Sequence, residues 1–202
     1  TALPSADAHF DIPASEAIRA AIRPPARRLR AWYVVGKDDG PEQLQPWIQD
    51  RGYRCFKIKL PGRDPAADAA RTAAAYRMAL ALGAEKVTLS VDTNEANPDA
   101  ASVLAYLDEL AGRDPAAAAA LAYFEQPTGR DITAHAFDWR AVAARRPVML
   151  DEGLTSLDLM RVAREQGWSG FALKTCKGHS FALVAAAWAR HHGMLVSLQD
   201  LT

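Results

Sequence analysis

The chain has 202 residues, half of them hydrophobic, and its 24 lysines and arginines balance 24 aspartates and glutamates. Such a length buries a substantial core in one domain or one and a half, and zero net charge argues against a basic nucleic-acid groove, an anionic membrane surface or an acidic partner. Cys55 and Cys176 offer neither a disulfide framework nor a CxxC metal spacing, no apolar run reaches the roughly 20 residues that span a bilayer, and no basic-then-apolar signal opens the chain, so a reduced, cytoplasmic, globular protein is expected.

A proline-bearing, weakly patterned stretch occupies residues 1–27 and is expected to be a lead segment or linker. The first β-rich run, RLRAWYVVG, ends at Gly36. Strand-like runs then follow in CFKIKL, KVTLSVD, AYFEQP, VMLDEG, GFALKTC and MLVSLQDL, the last carrying Asp200. Between them the pattern predicts helices over 41–50, 64–82, 98–111, 134–144, 156–166 and 180–192. Asp64-Pro65 and Asn97-Pro98 each supply a capping side chain and then a proline at the first helical position, where no donor is lost. Gly83, Gly112, Gly167 and Gly193 suit the left-handed residue past a helix end.

Seven strands alternating with helices, at a repeat near the roughly 31 residues expected when about 250 residues build eight units, predict an α/β fold: an incomplete (β/α) barrel over 28–202. A doubly wound open sheet is the main competitor, but it usually carries a glycine-rich turn after its first strand. No GxGxxG occurs, and GKDDG at Gly36–Gly40 has the wrong spacing. A closed barrel needs an eighth strand, which this chain is not expected to supply.

Strands covered by helices are usually apolar throughout, so charges at corresponding strand ends point to chemistry. They occur at Lys57 and Lys59, Asp92, Glu125, Asp151 and Lys174. Alternation along a strand places Phe56, Ile58, Leu89, Val91, Phe124, Leu150, Phe171 and Leu173 toward the helices, and every one of those charges toward the interior. Taken singly, each carboxylate also suits a polar strand exit or turn. Three inward carboxylates need a counter-charge. An all-oxygen set at Asp92, Glu125 and Asp151 favours Mg²⁺, with Mn²⁺ as a substitute. Lys57 and Lys59 lie about 6.6 Å apart on one face, and at an effective dielectric near 20 their repulsion of roughly 2.5 kcal/mol favours a neutral amine, which suits Lys59 as a base near neutrality, whereas the carboxylates pull its pKa back up.

At these residues the sequence resembles the catalytic barrel of the enolase superfamily, in its muconate lactonizing enzyme branch. Lys57-Ile58-Lys59 matches the family's KxK, Asp92-Thr93-Asn94 its Asp-x-Asn, Glu125-Gln126-Pro127 its Glu-Gln-Pro, Asp151-Glu152 its Asp-Glu, and Lys174 its sixth-strand lysine. The resemblance implies that Asp92, Glu125 and Asp151 bind Mg²⁺ and that Lys59 and Lys174 are acid/base residues on opposite faces of a substrate. It further implies that Lys57 neutralises the substrate carboxylate, with Asn94 also at the substrate, and that the shared step removes the proton α to that carboxylate to give an enediolate. Racemases, epimerases, cycloisomerases and dehydratases share that step. The family's N-terminal α+β capping domain is not expected within 1–27, and Lys177 and His179 in KTCKGHS are additional candidates.

Two other readings stay open. Lys174 near the end of a sixth strand also suits Schiff-base aldolase chemistry, and a truncated barrel could serve as a non-catalytic binding piece. The expected partner is a small-molecule carboxylate, without nucleic acid or membrane, and a homo-oligomer is compatible with the sequence.

Overall fold

A computed structural model describes residues 3–24 and 26–199; Asp200 lies outside them. Among the described residues, seven parallel strands form one sheet in the order β1-β2-β3-β4-β5-β6-β7. They are β1 (Trp32–Val35), β2 (Cys55–Lys59), β3 (Thr88–Asp92), β4 (Leu121–Glu125), β5 (Val148–Leu150), β6 (Gly170–Lys174) and β7 (Leu195–Gln199). Sequential order with every pair parallel is what repeated strand–helix units produce. The sheet curls far enough for Tyr123 on β4 to meet Ser197 on β7 at 3.2 Å and Trp32 on β1 edge-on at 5.5 Å. This is the expected incomplete barrel.

The core lies between the outward strand side chains and the helices. Phe56, Ile58, Leu89, Val91, Phe124, Leu150, Phe171 and Leu173 are all buried there with Ala69, Val103, Leu110, Trp139, Met160 and Trp188. Helix α3 (Pro41–Gln45) runs into a π turn, Pro46–Asp50, and the longest helix, α4 (Pro65–Ala81), starts where predicted. Asp64 caps α4 by accepting from the Ala66 and Ala67 amides at 3.0 and 3.1 Å. Its alanine face packs on α5 (Ala100–Arg113), and Tyr106 hydroxyl meets Thr72 hydroxyl at 3.0 Å between them.

Several boundaries differ from the sequence reading. Asp99, not Asn97, caps α5, accepting from the Ser102 amide at 2.8 Å, while Asn97 is buried against Thr93 and Ser102. Gly112 lies inside α5, and Asp114-Pro115 opens an unpredicted helix, α6 (Pro115–Ala120). Of the predicted 134–144 helix only α7 (Arg140–Ala143) forms; α8 (Asp158–Glu165) and α9 (His179–His191) follow near their predicted places.

The lead holds two helices, α1 (Leu3–Asp7) and α2 (Ala14–Ala21), and α2 sets Ala17 and Ala21 against Ala187 of α9. The Trp188 indole donates to the His9 carbonyl at 2.8 Å and His191 meets Asp11 at 2.6 Å, tying the lead to that helix.

Gly170 opens β6 where a β-carbon would lie 2.2 Å from the Leu195 carbonyl oxygen. Backbone cannot yield there without breaking the β6–β7 ladder, so Gly170→Ala is expected to cost about 1–3 kcal/mol, read as a lower urea midpoint. An unchanged midpoint would mean that the β6–β7 contact is looser than described.

Candidate active site

The inward charges gather at the ends of β2 to β6. Lys59, Asp92 and Glu125 occupy one row of the sheet, because Lys59 pairs with Asp92 and Asp92 with Glu125 in the strand register. A register shift between Leu89 and Ser90 creates the second pairing. Asp151 follows β5 two residues beyond Met149, the register partner of Glu125, so it stands farther along the strand direction.

Lys57 is buried at 8 % exposure between two carboxylates, 2.6 Å from Glu125 Oε1 and 2.9 Å from Asp92 Oδ2. Burial works against its charge, but Glu125 and Asp92 outweigh it and raise its pKa. At Lys57 the expected pull of the carboxylates prevails: two adjacent anions overcome the repulsion between the lysines. Its ammonium is engaged by Glu125 and Asp92 rather than free toward a ligand. Asp92 is likewise disfavoured by burial yet held below the usual carboxylate range by Lys57 and Lys59. For Glu125 burial prevails, with Asp92 adding to it against the pull of Lys57, and the carboxyl is pushed up to about 7.

Lys59 reaches the rim. Its Nζ lies 2.5 Å from Asp92 Oδ2 and 2.7 Å from Asn94 Oδ1, and the Asn94 amide nitrogen donates to Glu152 Oε1 at 3.2 Å. Across the site, Lys174 Nζ lies 3.7 Å from the same Glu152 oxygen and 2.5 Å from Asp151 Oδ2. Burial opposes the Lys174 charge, and Asp151 and Glu152 outweigh it, raising its pKa. A polar chain thus joins the two lysines from opposite sides of the sheet, Lys59 through Asn94 and Glu152 to Lys174. Lys177, on the turn after β6, donates to the Asp151 backbone carbonyl; His179 is exposed at the start of α9.

Three residues carry more than their sequence signal suggested. Gln126, fully buried, accepts from the Asp151 amide at 2.8 Å and the Gly153 amide at 3.1 Å, and donates to the Thr128 carbonyl at 2.9 Å. Its backbone sits at φ 32°, and Asn94 and Glu95 nearby also have positive φ; such strain concentrates at sites whose surroundings fix it. Gln199 donates to Glu125 Oε1 at 2.5 Å from across the sheet. Alternation along MLVSLQ, which turns Ser197 and Gln199 inward, was the available signal. Glu152 links both lysines, which its place beside Asp151 in sequence did not reveal.

The suitability of these residues for a divalent ion rests on their own atoms. Asp92 Oδ2 and Glu125 Oε1 already share one cation, the Lys57 ammonium. Glu125 Oε2, both Asp151 carboxylate oxygens and Glu152 Oε2 are buried without a hydrogen-bond partner, Lys174 approaching Asp151 as an ion pair outside hydrogen-bond alignment. Hard anionic oxygens lacking donors are the ligands Mg²⁺ takes. Among the described residues, however, no three His, Cys, Asp or Glu side chains are drawn into a metal-holding cluster. Asp92 and Glu125 close on Lys57, and Asp151 on Lys174. The donor chemistry fits a hard divalent ion, while the arrangement is one of lysine ion pairs. Among the described residues, too, no helix is long and apolar enough to cross a membrane.

The sequence profile of the enolase C-terminal domain-like family matches residues 41–201. A mandelate racemase/muconate lactonizing protein from Herpetosiphon aurantiacus has the same architecture at TM-score 0.69 and 26 % identity, over 86 % of this chain and 47 % of that one. Muconate cycloisomerase from Pseudomonas fluorescens gives 0.66 at 26 % identity, over 84 % and 45 %. Muconate lactonizing enzyme from Pseudomonas putida gives 0.67 at 21 % identity, over 85 % and 46 %, a likeness of fold alone. The chain spans just under half the length of these proteins. A comparison with curated proteins gave no match.

Proposed function

Since the chain belongs to the enolase C-terminal domain-like family, we propose that it removes the proton α to the carboxylate of a small-molecule substrate in a Mg²⁺-dependent reaction. The enediolate so formed is the entry to racemisation, epimerisation, cycloisomerisation or dehydration. The observation that carries this reading is the placement of Lys59 and Lys174 at one end of the sheet, joined through Asn94 and Glu152, above three buried carboxylates.

Lys59 and Lys174 keep side-chain exposures of 38 % and 21 %, against 10 % for Lys57. The first two reach a ligand at the rim, and the third is part of the floor. In this assignment Lys59 moves a proton at one face of the α-carbon and Lys174 at the other. Asp151 and Glu152, in contact with Lys174, favour its charged form, in which it can donate a proton. Lys57 holds Glu125 and Asp92 in place, and Gln126 fixes the turn that presents Asp151. Asp92, Glu125 and Asp151 would hold Mg²⁺, or Mn²⁺ in its stead, which supplies positive charge beside the substrate carboxylate.

The test is solvent deuterium incorporation at the α-carbon across a panel of carboxylates, with the full chain, in Mg²⁺ and in EDTA. Exchange that needs the ion is expected. Exchange indifferent to EDTA, or absent for every acid tried, would sink the assignment. Borohydride trapping of a carbonyl compound on Lys174 would instead mark Schiff-base chemistry.

A further inference from the structure

Charge is also concentrated at the other end of the sheet, where the strands begin. A cavity of about 750 Å³ opens between the segment leading into β1, the turn before β2 and the turn before β3. Arg28, Arg30, Arg51, Arg54 and Lys86 line it, against a single acid, Glu85. Among the described residues none of these five cations is in an ion pair. For a chain of zero net charge this is a strongly local positive field.

Two of the guanidinium groups are fixed in place. Arg54, half-buried, donates to the Tyr53 carbonyl at 2.8 Å and the Ile48 carbonyl at 3.4 Å, and Arg51 lies 4.4 Å over the Trp47 ring. The Thr88 amide donates to the Arg54 carbonyl at 2.8 Å, locking two walls together, and Lys86 is presented from a turn at φ 52°. Cys55, buried at the start of β2, also lines the cavity. Four residue steps of β2, about 13 Å, separate it from Lys59.

Five cations around one cavity, two of them held by protein contacts, favour an anion placed between them, and one monoanion would leave most of the charge uncompensated. Guanidinium forks match oxyanions in bidentate geometry, and the volume is that of a small-ligand site. We infer that this cavity binds a small molecule carrying two or more oxyanion groups, phosphate or carboxylate, at a site separate from the Lys59–Lys174 end and independent of the reaction proposed there.

Calorimetric titration of the full chain at low salt, with inorganic pyrophosphate and separately with citrate, tests this. Saturable one-to-one binding that weakens as salt rises is expected. Pyrophosphate alone binding assigns a phosphate compound, citrate alone a polycarboxylate, and both a site that reads charge. Arg30→Glu combined with Arg51→Glu, both exposed positions, should weaken binding about tenfold or more, whereas Lys59→Ala should leave it unchanged. If the double variant does not fold, Lys86→Glu, on an exposed turn, gives the same readout. Failure of both anions to bind, binding that survives these reversals, or binding lost in Lys59→Ala overturns the inference.

Discussion

Lys59→Ala should abolish α-proton exchange from one stereoisomer of the substrate while exchange from the other persists, and Lys174→Ala should do the reverse. Each loss is expected at about 10²–10⁴-fold, the usual contribution of a positioned acid or base. The expectation follows from the site's layout. Lys59 comes from β2 and Lys174 from β6, and both approach the Asn94–Glu152 bridge, one from each side. A flat enediolate between them would offer a different face to each amine. Deuterium incorporation measured separately for each enantiomer decides the matter. Equal loss from both stereoisomers in either variant would show that the two amines act as one unit, and the two-face assignment would fall. The Lys57→Ala variant should behave differently. Removing a buried cation from between Glu125 and Asp92 exposes their mutual repulsion, so folding suffers along with exchange from both isomers.

Gln126→Leu should destabilise the fold by about 3 kcal/mol or more. The side-chain amide is the partner of three backbone groups, the Asp151 and Gly153 amides and the Thr128 carbonyl, and each buried polar group left unpaired costs about 1–3 kcal/mol. Leucine fills similar space but offers no polar atom. Gln126→Glu is expected to do little better, since a carboxylate cannot donate to Thr128 and adds charge among Glu125 and Asp151. Urea denaturation with an unchanged slope measures the shift directly. A loss below about 1 kcal/mol would mean that other groups or water hold the Asp151 turn. The residue matters to function through position: it fixes where the β5 carboxylate stands relative to Lys174.

Much of this architecture is legible in the sequence for a local reason. Stereochemistry alternates side chains across a strand, so FKIKL by itself assigns Phe56 and Ile58 to the helices and Lys57 and Lys59 to the interior. Asp64 before a proline marks the start of α4 by the same kind of short-range chemistry. Local signals fail where two neighbours compete. Asn97 and Asp99 both suit a cap, and only packing of Asn97 against Thr93 leaves the task to Asp99. The helices of the lead are not legible in sequence because α2 buries alanines, which give little hydrophobic contrast, against a helix some 170 residues away in the chain.

By itself, then, the sequence determined the strand–helix alternation, the inward direction of Lys57, Lys59, Asp92, Glu125, Asp151 and Lys174, and the family resemblance those residues carry. Only the tertiary structure decided how the charges pair. The register shift at Leu89 and Ser90 brings Asp92 beside Glu125 so that one lysine serves both, and the curl of the sheet delivers Gln199 to Glu125. Direction is a property of each strand's own backbone, whereas register and closure are set by packing between strands far apart in the chain, and no stretch of sequence contains both partners.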